Sequence, residues 1–178
     1  MADNQLVAKT TVDMFGATIH TLGGKRHRED GPAVIRPDGT QEWWLNGSPH
    51  RADGPAHIFA DGSEVWWFNG NIHRDDGPAV IGADGTQEWW LNGSPHRDDG
   101  PAIICPDGYE VWYKNGKMHR TDGPAVTWPN GNQEWRFDGK LHREDGPAFI
   151  TCEGVEVWYK KGKRHLAPCG YRPGGEPA

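Results

Sequence analysis

The sequence has little of what marks secreted or membrane-spanning proteins. Its three cysteines, Cys105, Cys152 and Cys169, form neither a CxxC pair nor an even framework, which favours free thiols in a reducing compartment. No apolar run approaches the roughly 20 residues that a membrane-spanning helix needs. Residues 1–9 lack a basic stretch followed by an apolar core, so we expect no signal peptide. These absences predict a cytoplasmic protein.

Signals for helices and for catalysis are also missing. No segment sustains a 3.6-residue hydrophobic period, and Gly or Pro interrupts the chain about every ten residues. There is no Ser-His-Asp set, phosphate-binding loop or His-Glu-x-x-His sequence. Nineteen basic against 25 acidic residues give a net charge of −6, which disfavours a general nucleic-acid binder. We expect neither an enzyme nor a cofactor.

What the sequence has in abundance is a repeat of 23 residues. A fixed period in this range indicates an array of stacked units. The stretch HREDGPA, which begins at His27, returns nearly unchanged at His50, His73, His96, His119 and His142. We number positions within a repeat from this histidine, which is position 1. Six full repeats occupy residues 27–164, residues 1–26 resemble a degenerate N-terminal capping half-repeat, and residues 165–178 form a truncated repeat and a flexible Pro/Gly tail.

Each repeat is predicted to contain two strands and two turns. Pro37-Asp38-Gly39 suits a type I turn followed by a glycine bulge, and Asn46-Gly47 is the strongest two-residue hairpin signal. Residues 40–45 between them are rich in strand formers. The fold class is therefore all-β: a repetitive, single-layer antiparallel β-meander of stacked hairpins. In the capping half-repeat we expect strands at residues 5–12 and 17–22.

The turn types predict the register of the strands. The three-residue loop pairs Ile35 with Gln41, and thereby sets Ala33 opposite Trp43. The two-residue turn sets Trp43 opposite His50. The core face should then carry the Ala, Ile, Trp and His of positions 7, 9, 17 and 1, and the other face positions 16 and 18. Position 16 alternates between Glu and Val, either because a two-repeat unit was duplicated or because adjacent repeats have different surroundings.

Most of the repeated residues are predicted to be structural. The histidine should pack by the facing Trp, with one nitrogen bonded to the Asp three residues on or to backbone. A zinc site is not expected, because equivalent histidines lie two strands, about 9.5 Å, apart, whereas each ligand must lie about 2 Å from the metal. The predicted structural residues are Trp43, Trp66, Trp89, Trp112, Trp135 and Trp158, His50, His73, His96, His119 and His142, and Asp53, Asp76, Asp99 and Asp122.

Two rows of residues are candidates for binding. The Arg of position 2 should face position 16, either in cross-strand ion pairs or as a fork for phosphate or carboxylate on a partner. Together with the aromatic residues of position 18 it has the composition of a binding hot spot; packing or dimer burial is the alternative role for the aromatic row. The candidates are Arg28, Arg51, Arg74, Arg97, Arg120 and Arg143, with Trp44, Trp67, Trp90, Tyr113 and Tyr159.

The spacing Trp44-x-x-Gly47-x-x-His50, the period and the Asp-Gly turns resemble the MORN repeat over residues 27–164. Where MORN units have Gly directly after the His and two residues beyond, this chain has Arg28 and Asp30. The resemblance implies stacked hairpins in one sheet and a non-enzymatic scaffold for proteins or membranes. The His-Arg-x-Asp-Gly-Pro-Ala variant is similar to a repeat found in proteins of bacteriophages and large DNA viruses.

We therefore expect a non-catalytic binding or scaffold protein that engages a protein partner through its Arg and aromatic face. If the resemblance extends to the source, it is a viral (phage) protein that inhibits a host factor in the host cytoplasm. One alternative is a sponge that sequesters nucleotide-like anionic ligands. Another is a membrane-associated MORN scaffold, which the net charge disfavours. Because both faces carry aromatic residues, we also expect a homodimer or a tightly twisted array.

Overall fold

The computed structural model describes residues 7–169 and residue 171. Within them the chain is all-β and contains no helix, so none of the described residues forms a segment able to cross a membrane as a helix. The chain divides into an N-terminal unit, Met1–Ser94, and a C-terminal unit, Pro95–Ala178. The prediction of antiparallel hairpins at a 23-residue spacing is confirmed in each unit.

The N-terminal unit contains one antiparallel sheet and a series of short hairpins. Its strands are β1 (Ala8–Val12), β2 (Thr18–Leu22), β3 (Lys25–Arg26), β4 (Val34–Ile35), β5 (Gln41–Glu42), β6 (Trp44–Leu45), β7 (Ser48–Pro49), β8 (His57–Ile58), β9 (Glu64–Val65), β10 (Trp67–Phe68), β11 (Asn71–Ile72), β12 (Val80–Ile81), β13 (Gln87–Glu88) and β14 (Trp90–Leu91). The sheet runs β1-β2-β4-β5-β8-β9-β12-β13, with β3 beside β2. The pairs β6-β7 and β10-β11 are separate two-stranded hairpins.

The C-terminal unit repeats this arrangement. After β15 (Ser94–Pro95), its strands are β16 (Ile103–Ile104), β17 (Glu110–Val111), β18 (Tyr113–Lys114), β19 (Lys117–Met118), β20 (Val126–Thr127), β21 (Gln133–Glu134), β22 (Arg136–Phe137), β23 (Lys140–Leu141), β24 (Phe149–Ile150), β25 (Glu156–Lys160) and β26 (Lys163–His165). The sheet runs β16-β17-β20-β21-β24-β25-β26, and β18-β19 and β22-β23 are the short hairpins.

Both predicted turn types are confirmed. At the first turn, Arg36 N donates to Thr40 O (2.9 Å) and Gly39 has a φ of 95°, while the Asp38 carboxylate accepts a hydrogen bond from Thr40 N at 2.8 Å. At the second turn, Asn46 (φ 52°) and Gly47 (φ 87°) both adopt the left-handed conformation of a type I′ turn. The registers follow as expected, with Ile35 paired to Gln41 and Leu45 to Ser48.

The predicted strand through residues 40–45 is interrupted at Trp43, which belongs to neither β5 nor β6. Trp43 N donates to Ala56 O of the next repeat (2.7 Å), whereas Trp43 O accepts from His50 N (3.1 Å). Strand β5 thus pairs with β8 of the following repeat, while β6 pairs with β7 of its own. The backbone changes partner at position 17, and each repeat contributes to two ladders where the sequence predicted one.

The core is built from position 7 and from one face of the main sheets. The alanine of position 7 is fully buried in all six repeats: Ala33, Ala56, Ala79, Ala102, Ala125 and Ala148. Val34, of position 8, is only 1% exposed, whereas its neighbour Ile35 is 36% exposed. The prediction that position 9 lies in the core is therefore wrong in the first repeat. The bend at Trp43 brings the position 18 side chain beside position 16, so this second face is covered instead.

The N-terminal half-repeat continues the register of the array. Strands β1 and β2 correspond to the two predicted strands, of which residues 5 and 6 lie outside the described residues. Strand β2 pairs with β4, Thr18 with Ile35, and so covers that edge of the first full repeat. At the other end, the Trp158 ring, 6% exposed, packs against the ring of Tyr171 at 4.8 Å. The beginning of the Pro/Gly tail therefore covers the last repeat.

Candidate binding surface

The arginine of position 2 is held on three sides. In the fifth repeat, Arg120 Nε donates to Asp122 Oδ1 (2.8 Å) and Nη1 donates to Pro124 O (3.3 Å). Its Cζ lies 4.0 Å from the ring centroid of Trp112, in the preceding repeat. The hydrogen bond from Arg120 and its positive charge lower the pKa of Asp122. Arg51, Arg74 and Arg143 stack in the same way on Trp43, Trp66 and Trp135, at 4.2 Å.

The glycine of position 5 provides the space for this guanidinium. A Cβ added at Gly123 would lie 2.8 Å from Arg120 Cζ, and the corresponding distances at the other five glycines are 2.8 to 3.2 Å. In each loop the aspartate therefore binds the arginine, and the glycine after it leaves room for the guanidinium. The predicted pairing of this arginine with position 16 is wrong, because its Nε binds the aspartate two residues on in all six repeats.

The histidine of position 1 stabilises the two-residue turn of its own repeat. Nδ1 of His50 accepts a hydrogen bond from Asn69 N at 3.1 Å, and the equivalent bond recurs in every full repeat. This acceptor role requires the tautomer that carries its proton on Nε2. In the third repeat His73 Nε2 lies 3.3 Å from the Asp75 carboxylate at position 3. The backbone, and not the Asp three residues on, is thus the partner of Nδ1.

An open groove runs between successive loops at three steps of the repeat. In the N-terminal unit one such groove, of about 800 Å³, is lined by Arg51, Trp66, Phe68, His73 and Arg74. The equivalent grooves lie between the first and second repeats and between the fifth and sixth. Each has a Trp–Arg stack, an apolar side chain from position 19 and exposed carboxylates at its rim. We call these the inter-repeat grooves.

The phenylalanines of position 19 are the exposed apolar groups of these grooves. Phe68 is 43% exposed and Phe137 is 44% exposed. Each lies between the histidines of two successive repeats, with ring centroids 4.8 and 5.9 Å apart for Phe68 and 4.4 and 5.9 Å apart for Phe137. Sequence reasoning missed both residues, because position 19 varies between Leu, Phe and Lys. Their place in the period, directly before the recurring Asn-Gly or Asp-Gly turn, was the available indication.

The aromatic row of position 18 lies over position 16 and not beside the arginine. Trp44 Nε1 donates to Glu42 (2.9 Å), Trp90 Nε1 donates to Glu88 (2.7 Å), and the Arg136 guanidinium binds Glu134. These are the repeats with Glu at position 16. Where position 16 is Val65, Trp67 Nε1 is buried without a hydrogen-bond partner. The alternation of Glu and Val therefore corresponds to two different surroundings for position 18.

A charge cluster around the buried Glu42 lies on this second face in the N-terminal unit. The Glu42 side chain is 8% exposed and binds Arg36 and Arg26. Burial alone would raise the pKa of Glu42, but hydrogen bonds from Arg36 and Trp44 outweigh it and lower the pKa. His57, opposite Glu42 in the register, packs between the rings of Trp44 and Trp67 at 6.0 and 5.6 Å. Burial lowers the pKa of His57, although Glu42 opposes the shift.

The two predicted binding rows thus have different neighbours. The arginines stack on the Trp of position 17 and line the inter-repeat grooves, whereas position 18 packs over Glu42, Glu88 and His57. The residues described in the two units contain no group of three His, Cys, Asp or Glu arranged to hold a metal ion.

Comparison with known proteins adds no family. The chain matches no protein-family model, and the curated proteins contain no sequence detectably similar to it. The assignment of the fold as an all-β array of hairpins therefore rests on the repeat and on its structure.

Proposed function

We propose that this protein is a non-catalytic, MORN-like repeat scaffold that binds a protein partner along its inter-repeat grooves. One observation carries the proposal: the same exposed groove, with the same kinds of side chain, recurs at three steps of the repeat, two in the N-terminal unit and one in the C-terminal unit. A surface that repeats suits an extended partner, whereas a catalytic site needs one unique constellation of groups. Trp, Arg and Phe side chains are also the residue types enriched in protein interfaces.

The chemistry of the groove favours a protein over a phosphate ligand. The guanidinium of Arg74 is already engaged by Asp76, by Pro78 O and by the ring of Trp66. A phosphate would have to displace the aspartate, whose side chain stands 82% exposed at the rim. An apolar side chain of a partner can instead contact Phe68 in the groove without breaking these bonds. The arginine then acts as a rigid wall of the groove.

Phe68→Lys tests this proposal. Lysine occupies the equivalent position at Lys114 and Lys160, so the hairpin accepts it. Peptides enriched from a displayed random library on the wild-type protein should bind the variant at least about tenfold more weakly, as expected for an exposed aromatic anchor.

The matched control is Phe59→Arg. Phe59 is 41% exposed beside the three-residue turn of the same repeat, and arginine occupies the equivalent position at Arg36. This variant loses the same exposed ring and gains the same charge outside the groove, so it should bind like the wild type. Circular dichroism verifies that both variants are folded. If the enriched peptides bind Phe68→Lys as tightly as the wild type, the groove is not the binding surface.

A further inference from the structure

A row of lysines lies along the two-residue turns of the C-terminal unit. Lys117, Lys140 and Lys163 occupy position 22, and Lys161 occupies position 20 in the last repeat. All four are exposed, and none makes an ion pair with any residue that the structure describes. We call this row the lysine edge. In the N-terminal unit the full repeats have Ser48, Asn71 and Ser94 at position 22, and the half-repeat has Lys25 there, so the row of successive lysines lies in the C-terminal unit.

Backbone hydrogen bonds order the lysine edge. Gly139 N donates to Met118 O (2.8 Å) and Gly162 N donates to Leu141 O (2.9 Å), so each turn is bonded directly to the next. Two strand spacings separate equivalent turns, which sets the step between lysines at about 9.5 Å. The aliphatic stem of Lys140 lies beside Gly162, 3.7 Å from the place of its missing Cβ. The stem of this side chain therefore packs along the edge of the array.

The lysines are placed at some cost to the hairpins. Lys114 is paired directly with Lys117 across one hairpin, and Lys160 with Lys163 across another. Like charges in directly opposite positions destabilise a hairpin. Lys114 and Lys160 are partly neutralised by Asp98 (3.4 Å) and Glu144 (2.6 Å). The opposite lysines, Lys117 and Lys163, have no such partner among the described residues, so a bound anion would relieve the repulsion.

We propose that the lysine edge binds an extended acidic segment of a protein. A chain in the extended polyproline II conformation advances about 3.1 Å per residue with three residues per turn, so every third side chain points the same way and advances about 9.3 Å, close to the step between the turns. Residues 95–178 carry 12 basic and 12 acidic residues, and exposed carboxylates such as Asp98 and Glu144 stand one side chain away from the edge. Those carboxylates repel a wide polyanion such as a duplex, whereas a narrow acidic strand can follow the turns alone.

Groups next to the edge fit the same ligand. A cavity of about 420 Å³ at its centre is lined by Lys117, Phe137, Lys140 and Lys161, together with Asp138 and His142. Asp138 is turned to the His119 imidazole, at 3.2 Å, and Phe137 offers an apolar contact between the charges. Phe137 and His142 also line the groove between the fifth and sixth repeats, but the four lysines line none of the inter-repeat grooves, so substitution of the lysines tests this inference separately from the proposed function.

The test compares the full-length protein with a variant in which the edge takes the residues of the N-terminal unit: Lys117→Ser, Lys140→Ser, Lys161→Asn and Lys163→Ser. The probe is a fluorescein-labelled peptide of repeated Glu-Gly-Ser triplets, followed by anisotropy at low salt. We expect the wild type to bind, the affinity to fall as the salt rises to about 0.2 M, and the variant to bind at least about tenfold more weakly.

Transplantation gives the complementary result. Ser48→Lys with Asn71→Lys recreates the row in the N-terminal unit and should raise the number of peptides bound per chain. A peptide of Lys-Gly-Ser triplets and a single-stranded oligouridylate are the competing probes. Equal binding of the acidic peptide by the wild type and the four-lysine variant would overturn the proposal. So would binding of the oligouridylate without binding of the acidic peptide, which would make the edge a nucleic-acid surface.

Discussion

The glycine beneath each guanidinium offers the sharpest test of how the repeat is held together. Gly123 has an ordinary φ, yet a Cβ there would lie 2.8 Å from Arg120 Cζ and 3.0 Å from its Nε. Gly123→Ala must therefore move the guanidinium. The movement breaks the stack on Trp112 and the bond to Pro124 O. A change that the backbone itself would accept thus disrupts a contact between two repeats.

The expected magnitude follows from these opposing effects. Without a clash, Gly→Ala at an ordinary φ stabilises a protein by about 0.4–1 kcal/mol, because it restricts the unfolded chain. The cation–π stack is worth about 0.5–2 kcal/mol, and each buried methylene of the arginine stem adds about 0.8 kcal/mol. Because the Arg120 side chain is only 24% exposed, displacement of the guanidinium removes much of the cation–π energy and much of the burial energy of the stem. We expect Gly123→Ala to lower the free energy of unfolding by about 1–2 kcal/mol.

A double-mutant cycle isolates the cause. Arg120→Ala alone should cost about 2–3 kcal/mol. In that background no guanidinium remains to be displaced, so Gly123→Ala should become neutral or stabilising by up to about 1 kcal/mol. Urea unfolding followed by tryptophan fluorescence measures all four proteins. If alanine at position 123 costs the same with and without Arg120, the steric explanation is refuted.

Two further predictions concern single residues. Burial lowers the pKa of His57 below its ordinary value of 6.5. The neutral imidazole therefore contributes to the free energy of unfolding above pH 6.5, and this contribution is lost as the pH falls through the folded-state pKa. His57→Val, as at Val34 and Val80, should therefore flatten the fall in Tm between about pH 7 and pH 5; an unchanged slope would contradict the assignment. Lys161 has a left-handed φ of 50°, which asparagine tolerates better, so Lys161→Asn should raise stability by about 0.5–1 kcal/mol in the same unfolding assay.

Much of the fold could be predicted because it is encoded locally. Asn46-Gly47 and Pro37-Asp38-Gly39 each favour one turn type whatever surrounds them, and the turn types determine the register of the strands they join. The repeat extends this result from one hairpin to all six. The N-terminal cap follows from the same phase, since His20 stands where the full repeats have Trp and its imidazole contacts Arg28 at 3.1 Å.

The candidate surface was harder to predict, because its contacts join residues of different repeats. Alternation within a strand placed Arg51 opposite position 16, but Trp43 interrupts the strand and the alternation ends there. Arg51 then stacks on Trp43, eight residues earlier in the chain, while Trp44 turns to the other face and binds Glu42. Phe68 and the lysine edge could be identified as surfaces only from the structure, because it shows which side chains the array leaves exposed.

The sequence alone determined the period, the turns and the local pairing of strands, because each depends on a few neighbouring residues with strong conformational preferences. Tertiary structure decided which face is buried and what each repeated side chain does. The loop that begins at His27 contains a turn-stabilising histidine and a guanidinium packed on glycine. Both roles depend on side chains and backbone groups that the stacking of hairpins brings together. These contacts could not be predicted from the spacing of residues along the chain.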